Sequence, residues 1–91
     1  MLQLKIVSPE KVEFEGEVES VMVPGSVGPF EILKDHAPII SLLEKGKVEY
    51  TTHEGKTQLM ILGGFVVVKK NEVSLCVEVK EEETEDDASV Q

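Results

Sequence analysis

His36, with Asp35 beside it, is the pair that a catalytic reading of this chain takes first. A histidine steered by a carboxylate can act as a general base. Neighbours in an extended chain point apart, however, and no nucleophile motif accompanies the pair. His36 therefore reads as a loop histidine that hydrogen-bonds the backbone or a partner. Glu13, Glu15, Glu17 and Glu19 supply carboxylates at even spacing, and carboxylate pairs can hydrolyse glycosides. On a strand, alternation sets all four on one wet face, where a row of charge blocks edge pairing. Gly25 and Gly28 lack the Gly-Lys-Ser/Thr sequence and following helix that make a phosphate loop, and Gly63-Gly64 shares that lack. His36, His53 and Cys76 are scattered, whereas a zinc site takes three or four close ligands. Cys76 falls out of phase with Leu75 and Val77, as a small residue on the less buried face of a strand. No catalytic residue, cofactor site or metal site is expected.

The element that must position His36 is the stretch Gly25–Pro38. Gly25 and Gly28 permit backbone angles closed to other residues. Pro38 pushes Ala37 towards an extended conformation and denies the region a helix. The short apolar core Phe30-Glu31-Ile32-Leu33 predicts a brief strand leading into a polar corner, Lys34-Asp35-His36, closed by Ala37-Pro38. Loops on a rigid scaffold are where function concentrates.

The rest of the chain reads as strands. Leu2, Leu4 and Ile6 alternate with polar residues, as do Val12, Phe14, Gly16 and Val18. The apolar phase then slips to Val21 and Val23, which predicts a bulge or corner near Glu19-Ser20. Val48 and Tyr50 belong to a further strand, with a hairpin turn at His53-Glu54-Gly55 in which Gly55 takes a positive φ. Leu59 and Ile61 return, Gly63-Gly64 turns or bulges the chain, and Phe65–Val68 is apolar throughout. Lys69-Lys70-Asn71-Glu72 turns again before Val73, Leu75, Val77 and Val79. About eight to ten short, mostly antiparallel strands predict an all-β fold, a small β-sandwich. Its interior is expected to include Leu4, Ile6, Phe14, Val21, Val23, Val48, Leu59, Ile61, Val67, Leu75 and Val77.

Composition bounds the function. Ninety-one residues make one small domain, placed at 1–79, and an acidic tail at 80–91 expected to be disordered. The tail carries −5 (one Lys, six acids) of the net −9. That sign argues against nucleic acid, which needs a basic footprint, and against docking on anionic lipid. One cysteine excludes an intrachain disulfide and suits a reducing compartment. No signal peptide is read at Met1–Lys5, and no apolar run reaches the roughly 20 residues of a membrane helix. A soluble, cytosolic protein without direct membrane insertion is the expectation.

The pattern G-S-x-G-x-F-x-I-L-x-x-H-A-P, followed by Leu42-Leu43-Glu44-Lys45-Gly46-Lys47-Val48, resembles the epsilon subunit of F-type ATP synthases. Ile6-Val7-Ser8-Pro9-Glu10 with Phe14-Glu15-Gly16 is similar to that family's opening. Gly63-Gly64-Phe65-Val66-Val67-Val68 with Asn71-Glu72-Val73 is similar to its closing hairpin. The resemblance implies a non-catalytic rotor subunit of the central stalk. It would join the gamma subunit to the c-ring and help couple proton flow to ATP synthesis, peripheral to the cytoplasmic side of a bacterial inner membrane. It implies partner contacts at Gly28, Phe30, His36, Ala37 and Pro38, with Ser26, Glu31 and Asp35 as polar neighbours. Pro29 and Glu31 depart from many relatives, where an acid and a glycine are common. The helical hairpin that inhibits ATP hydrolysis in many members is expected to be absent.

The alternative is a stand-alone β-sandwich module that binds a peptide or carbohydrate. A module predicts one concave pocket with convergent polar groups. An adaptor predicts contact surfaces of mixed polarity and no deep pocket. A small hydrolase, the third reading, predicts turnover by the isolated chain.

Overall fold

A computed structural model of the chain describes residues 1–79. The acidic tail read at 80–91 lies outside the described residues. Eight strands and no helix make up the described chain: β1 (Leu2–Val7), β2 (Val12–Val18), β3 (Ser20–Gly25), β4 (Gly28–Ile32), β5 (Ile39–Leu43), β6 (Gly46–Thr52), β7 (Gly55–Lys69) and β8 (Glu72–Val79). The expected all-β sandwich is what forms. Every strand pair is antiparallel except β1 with β8, which run parallel.

One long hairpin ties the two layers together. β5 and β6 pair successively with β7, in a register that runs without slip from Ile39 opposite Val68 to Thr52 opposite Gly55. The β7 half beyond Gly63 lies between β5 and β8, and β1 and β2 extend that layer. The other half of β7 pairs with β6, and β3 and β4 extend the second layer. At Ile61–Gly63 the register with β8 slips by one residue. This is the bulge expected at the glycines, and the strand continues through it rather than turning. The predicted corner also forms. Val18 and Val21, three apart, are both fully buried, so the chain must change direction between them. It leaves β1's side for β6 there, and the Glu19 N–H donates to the Thr51 carbonyl at 2.7 Å.

Between the layers lies a core of aliphatic side chains, including Leu2, Leu4, Ile6, Val18, Val21, Val23, Ile32, Val48, Ile61 and Leu75. Phe14 of β2 packs against Tyr50 of β6 with the rings tilted by 41° and their centroids 4.4 Å apart. Phe14 and Leu59 are half-buried against this core rather than inside it. Val67 is a correction: it faces outward, and Val66 and Val68 are buried instead. An all-apolar run carries no phase of its own. Pairing of Val66 with Leu75 and of Val68 with Val73, both buried, sets it. Gly25 is a second correction, since it adopts no positive φ. It is needed for space, because a Cβ there would lie 2.7 Å from the Gly28 carbonyl oxygen and 2.8 Å from the Phe30 ring.

Candidate functional site

The stretch Gly25–Pro38 becomes two separate features. β3 and β4 form a tight hairpin with Ser26 and Val27 at its tip. β4 then carries the chain five residues away, about 17 Å at strand rise, to the corner at 33–38. Ser26, Gly28, Glu31, Asp35, Ala37 and Pro38 are exposed, and Phe30 and His36 are half-buried. Gly28, at φ +135°, has open space where a side chain would stand. Phe30 lies over Gly25 and reaches the His36 ring at a centroid distance of 6.3 Å. His36 thus stands with Asp35, Ala37 and Pro38 at the corner and Ser26 with Gly28 at the tip, and Phe30 on β4 lies between them, its ring over Gly25 and near that of His36.

The corner is built by local hydrogen bonds. The His36 N–H donates to the Leu33 carbonyl at 3.1 Å, closing a tight turn. Asp35, third in that turn, sits at φ +66°. Asp tolerates this left-handed region better than most residues. The His36 ring Nδ1 lies 2.7 Å from the Ala37 carbonyl oxygen. A carbonyl can only accept, so Nδ1 carries the proton and donates. That bond fixes the orientation of the ring. Three of the four acids form the expected charged row on β2, Glu15 and Glu17 exposed and Glu13 half-buried, on a strand that pairs with β1 alone, whereas Glu19 is exposed in the corner that follows β2. His53 is exposed in the β6–β7 turn, as expected. Among the described residues no group of three or more His, Cys, Asp or Glu could hold a metal ion.

β5 links the two features, and it carries the surface that the sequence reading missed. It starts directly after Pro38, and at its far end the Ser26 N–H donates to the Leu42 carbonyl at 3.1 Å. Its outward residues are Ile40 and Leu42, 78% and 68% exposed. Paired residues on neighbouring strands share a face. Leu42 stands opposite Phe65, Phe65 opposite Cys76, Cys76 beside Val7, and Val7 opposite Val12. Ile40 stands opposite Val67. The outer face of this layer is thus an apolar band across five strands, on a chain whose net charge is −9. Each of these residues reads singly as an unremarkable strand position. Only the register puts them in a row, so cross-strand pairing is the signal that alternation alone does not carry.

Within the band, Gly63 and Gly64 take side chains away from β7. The result is an open depression of about 530 Å³ lined by Val7, Pro9, Phe65, Cys76 and Glu78 among others. Gly64 could be no other residue, since a Cβ would overlap the Cys76 carbonyl oxygen and its φ is +148°. The depression offers mainly apolar contact, with one carboxylate, Glu78, and one hydroxyl, Ser8, a poor match to the convergent polar groups of a sugar or peptide pocket. Bands of this kind mark surfaces that another molecule covers.

Residues 1–83 match the family described as the ATP synthase delta/epsilon chain, beta-sandwich domain. The ATP synthase epsilon chain of Leptospira interrogans is 43% identical over 74 residues, covering 81% of this chain and 58% of that protein. That of Chlorobium limicola is 42% identical over 77 residues, covering 84% of this chain and 88% of that protein. The chain thus spans little more than half the length of the Leptospira relative and most of the Chlorobium one. Among solved structures, a chain of the Euglena gracilis mitochondrial ATP synthase superposes with a TM-score of 0.82 at 22% identity, over 94% of this chain and 56% of that one. A chain of the Tetrahymena thermophila ATP synthase central stalk and c-ring superposes with a TM-score of 0.75 at 15% identity, over 92% and 68% respectively. These two likenesses establish the sandwich fold.

Proposed function

This chain belongs to the family of ATP synthase delta/epsilon chain β-sandwich domains, and on that premise we propose that it is a non-catalytic rotor subunit of an F-type ATP synthase. In this reading it joins the gamma-type shaft to the c-ring, so that ring rotation driven by protons reaches the catalytic head as torque. It would work at the cytoplasmic side of a bacterial inner membrane, held there by the complex.

The observation that carries the reading is the apolar band of Ile40, Leu42, Phe65, Val67, Cys76 and Val7, flanked by the hairpin tip and the corner. A shaft helix laid on this band would bury apolar surface, the main source of affinity in permanent assemblies. The corner at Asp35–Pro38 would contact the shaft beside β5. The tip at Ser26–Gly28 and the exposed Glu31 would be free to meet polar loops of the ring. Chemistry is not required of any of these residues, in keeping with the locked His36 ring.

The test is co-purification. Affinity-tagged chain, expressed with the other subunits of its ATP synthase, should retain the coiled-coil gamma-type subunit and the ring through a high-salt wash, because apolar contacts survive screening. Recovery of the chain alone, or loss of the shaft at high salt, would count against this function.

A further inference from the structure

The corner that presents His36 is fastened to a part of the molecule far away in sequence. Asp35 and Asn71, 36 residues apart, exchange two hydrogen bonds. The Asp35 N–H donates to Asn71 Oδ1 at 2.6 Å, and the Asn71 Nδ2 donates to Asp35 Oδ1 at 3.2 Å. Among the described side-chain and turn hydrogen bonds, these two link the corner to another element. The others at the corner, from His36 to Leu33 and to Ala37, stay within it.

Asn71 is itself held. Lys70 and Asn71 take φ +52° and +64°, the two left-handed positions of a tight β7–β8 turn. The Asn71 carbonyl accepts the Gln3 N–H at 2.9 Å, which pins the turn to the start of β1. An asparagine amide can accept and donate at once, which the geometry needs: Asp35 offers a backbone donor and a carboxylate acceptor. Aspartate at 71 would keep the acceptor and lose the donor, and set two carboxylates face to face. Asp35 also occupies a left-handed position where glycine would be unstrained, and the clasp offsets that strain.

We propose that Asn71 is a positioning residue: through its two bonds to Asp35 it fixes the 33–38 corner, and with it the presentation of His36 to the protein partner. The inference rests on the reading of the corner as a contact zone with a gamma-type subunit. Its consequence is that partner affinity depends on a residue of the opposite hairpin, acting through Asp35.

The test uses two readouts on four proteins: the parent, Asn71→Gly, Asn71→Asp, and the exchanged pair Asp35→Asn with Asn71→Asp. Glycine at 71 keeps the left-handed turn and removes the amide. Hydrogen exchange at the residue-35 amide is followed in the free domain, and affinity is measured against the gamma-type subunit. Asn71→Gly should speed exchange and weaken binding, each by about tenfold, the effect of losing one or two modest hydrogen bonds. Asn71→Asp should bind more weakly than the parent at neutral pH. The exchanged pair recreates both bonds with donor and acceptor side chains reversed, and should return exchange to within about threefold of the parent. Unchanged exchange in Asn71→Gly would overturn the clasp. An exchanged pair that folds without regaining protection would overturn the clasp, and faster exchange in Asn71→Gly with unchanged affinity would overturn the positioning role. If the parent domain itself fails to bind the gamma-type subunit, the functional reading falls, and the exchange readout alone still decides whether the clasp holds the corner.

Discussion

Replacing Gly64 by alanine should damage this domain far more than the same change at Gly28, and the structure says by how much. Both glycines have positive φ, +148° and +135°, so alanine is strained at either position. That strain costs on the order of 1–2 kcal/mol. The two differ in what surrounds them. A Cβ on Gly28 meets nothing within 4 Å. A Cβ on Gly64 overlaps the Cys76 carbonyl oxygen, and lies 2.8 Å from the Val77 Cα and 3.0 Å from its Cγ1. Two of those are backbone atoms of β8, so β7 and β8 must separate. Overpacking of this kind adds about 1–3 kcal/mol, and backbone opposition puts Gly64 at the upper end. The expected loss is therefore about 4 kcal/mol for Gly64→Ala and about 1–2 kcal/mol for Gly28→Ala. A domain of this size has only about 4–12 kcal/mol in hand. Urea unfolding measures both: at a slope of about 1–2 kcal/mol/M, the Gly64→Ala midpoint should fall by 2 M or more, or the protein should not fold, while Gly28→Ala shifts by roughly 1 M. Equal midpoints for the two variants would refute the argument that Gly64 exists to let β7 approach β8.

Three further outcomes are expected. Val66→Ala should cost about 2 kcal/mol by urea unfolding, two buried methyl groups and their cavity, and the outward Val67→Ala well under 1 kcal/mol; the reverse order would mean the β7 register is wrong. Burial pushes the Tyr50 phenol above the usual tyrosine range, with Glu13 adding to the shift and the Thr57 hydrogen bond opposing it. Its stabilising share is intact below pH 10 and is lost as pH climbs through the raised pKa, because the unfolded state releases the proton first. Tyr50→Phe should therefore flatten the alkaline part of the stability–pH curve, and an unchanged curve would contradict this. His36→Ala removes the Ala37 bond and the contact with Phe30 without opening the core, so stability should fall by about 1 kcal/mol or less while binding to a gamma-type subunit weakens.

Period-two alternation made the strands legible, because β1, β3 and β8 each bury one face and wet the other. The phase slip between Val18 and Val21 revealed the corner where the chain changes layers. Alternation failed where it had no contrast, at Val66-Val67-Val68, and where a side chain was only half covered, as with Phe14. The glycines at 25 and 28 looked alike in the sequence, yet one serves close packing and the other a turn; a glycine announces freedom without saying which kind is used. The corner at Asp35–Pro38 was legible from its proline and histidine. Its clasp to Asn71 was not, because a contact across 36 residues leaves no local pattern. The apolar band escaped for the same reason, being a property of register between five strands.

The claim that this band is the docking surface is tested most directly by affinity for the gamma-type subunit, measured with Leu42→Ala and with Met60→Ala as control. Both side chains are outward, 68% and 48% exposed, but Met60 stands opposite Lys47 on the other layer. Covering Leu42 recovers about two thirds of the roughly 0.8 kcal/mol carried by each of three carbons, or about 1.5 kcal/mol. The account predicts that Leu42→Ala weakens binding about tenfold and Met60→Ala leaves it unchanged. Unaltered affinity in a folded Leu42→Ala protein, with a loss in Met60→Ala, would contradict it.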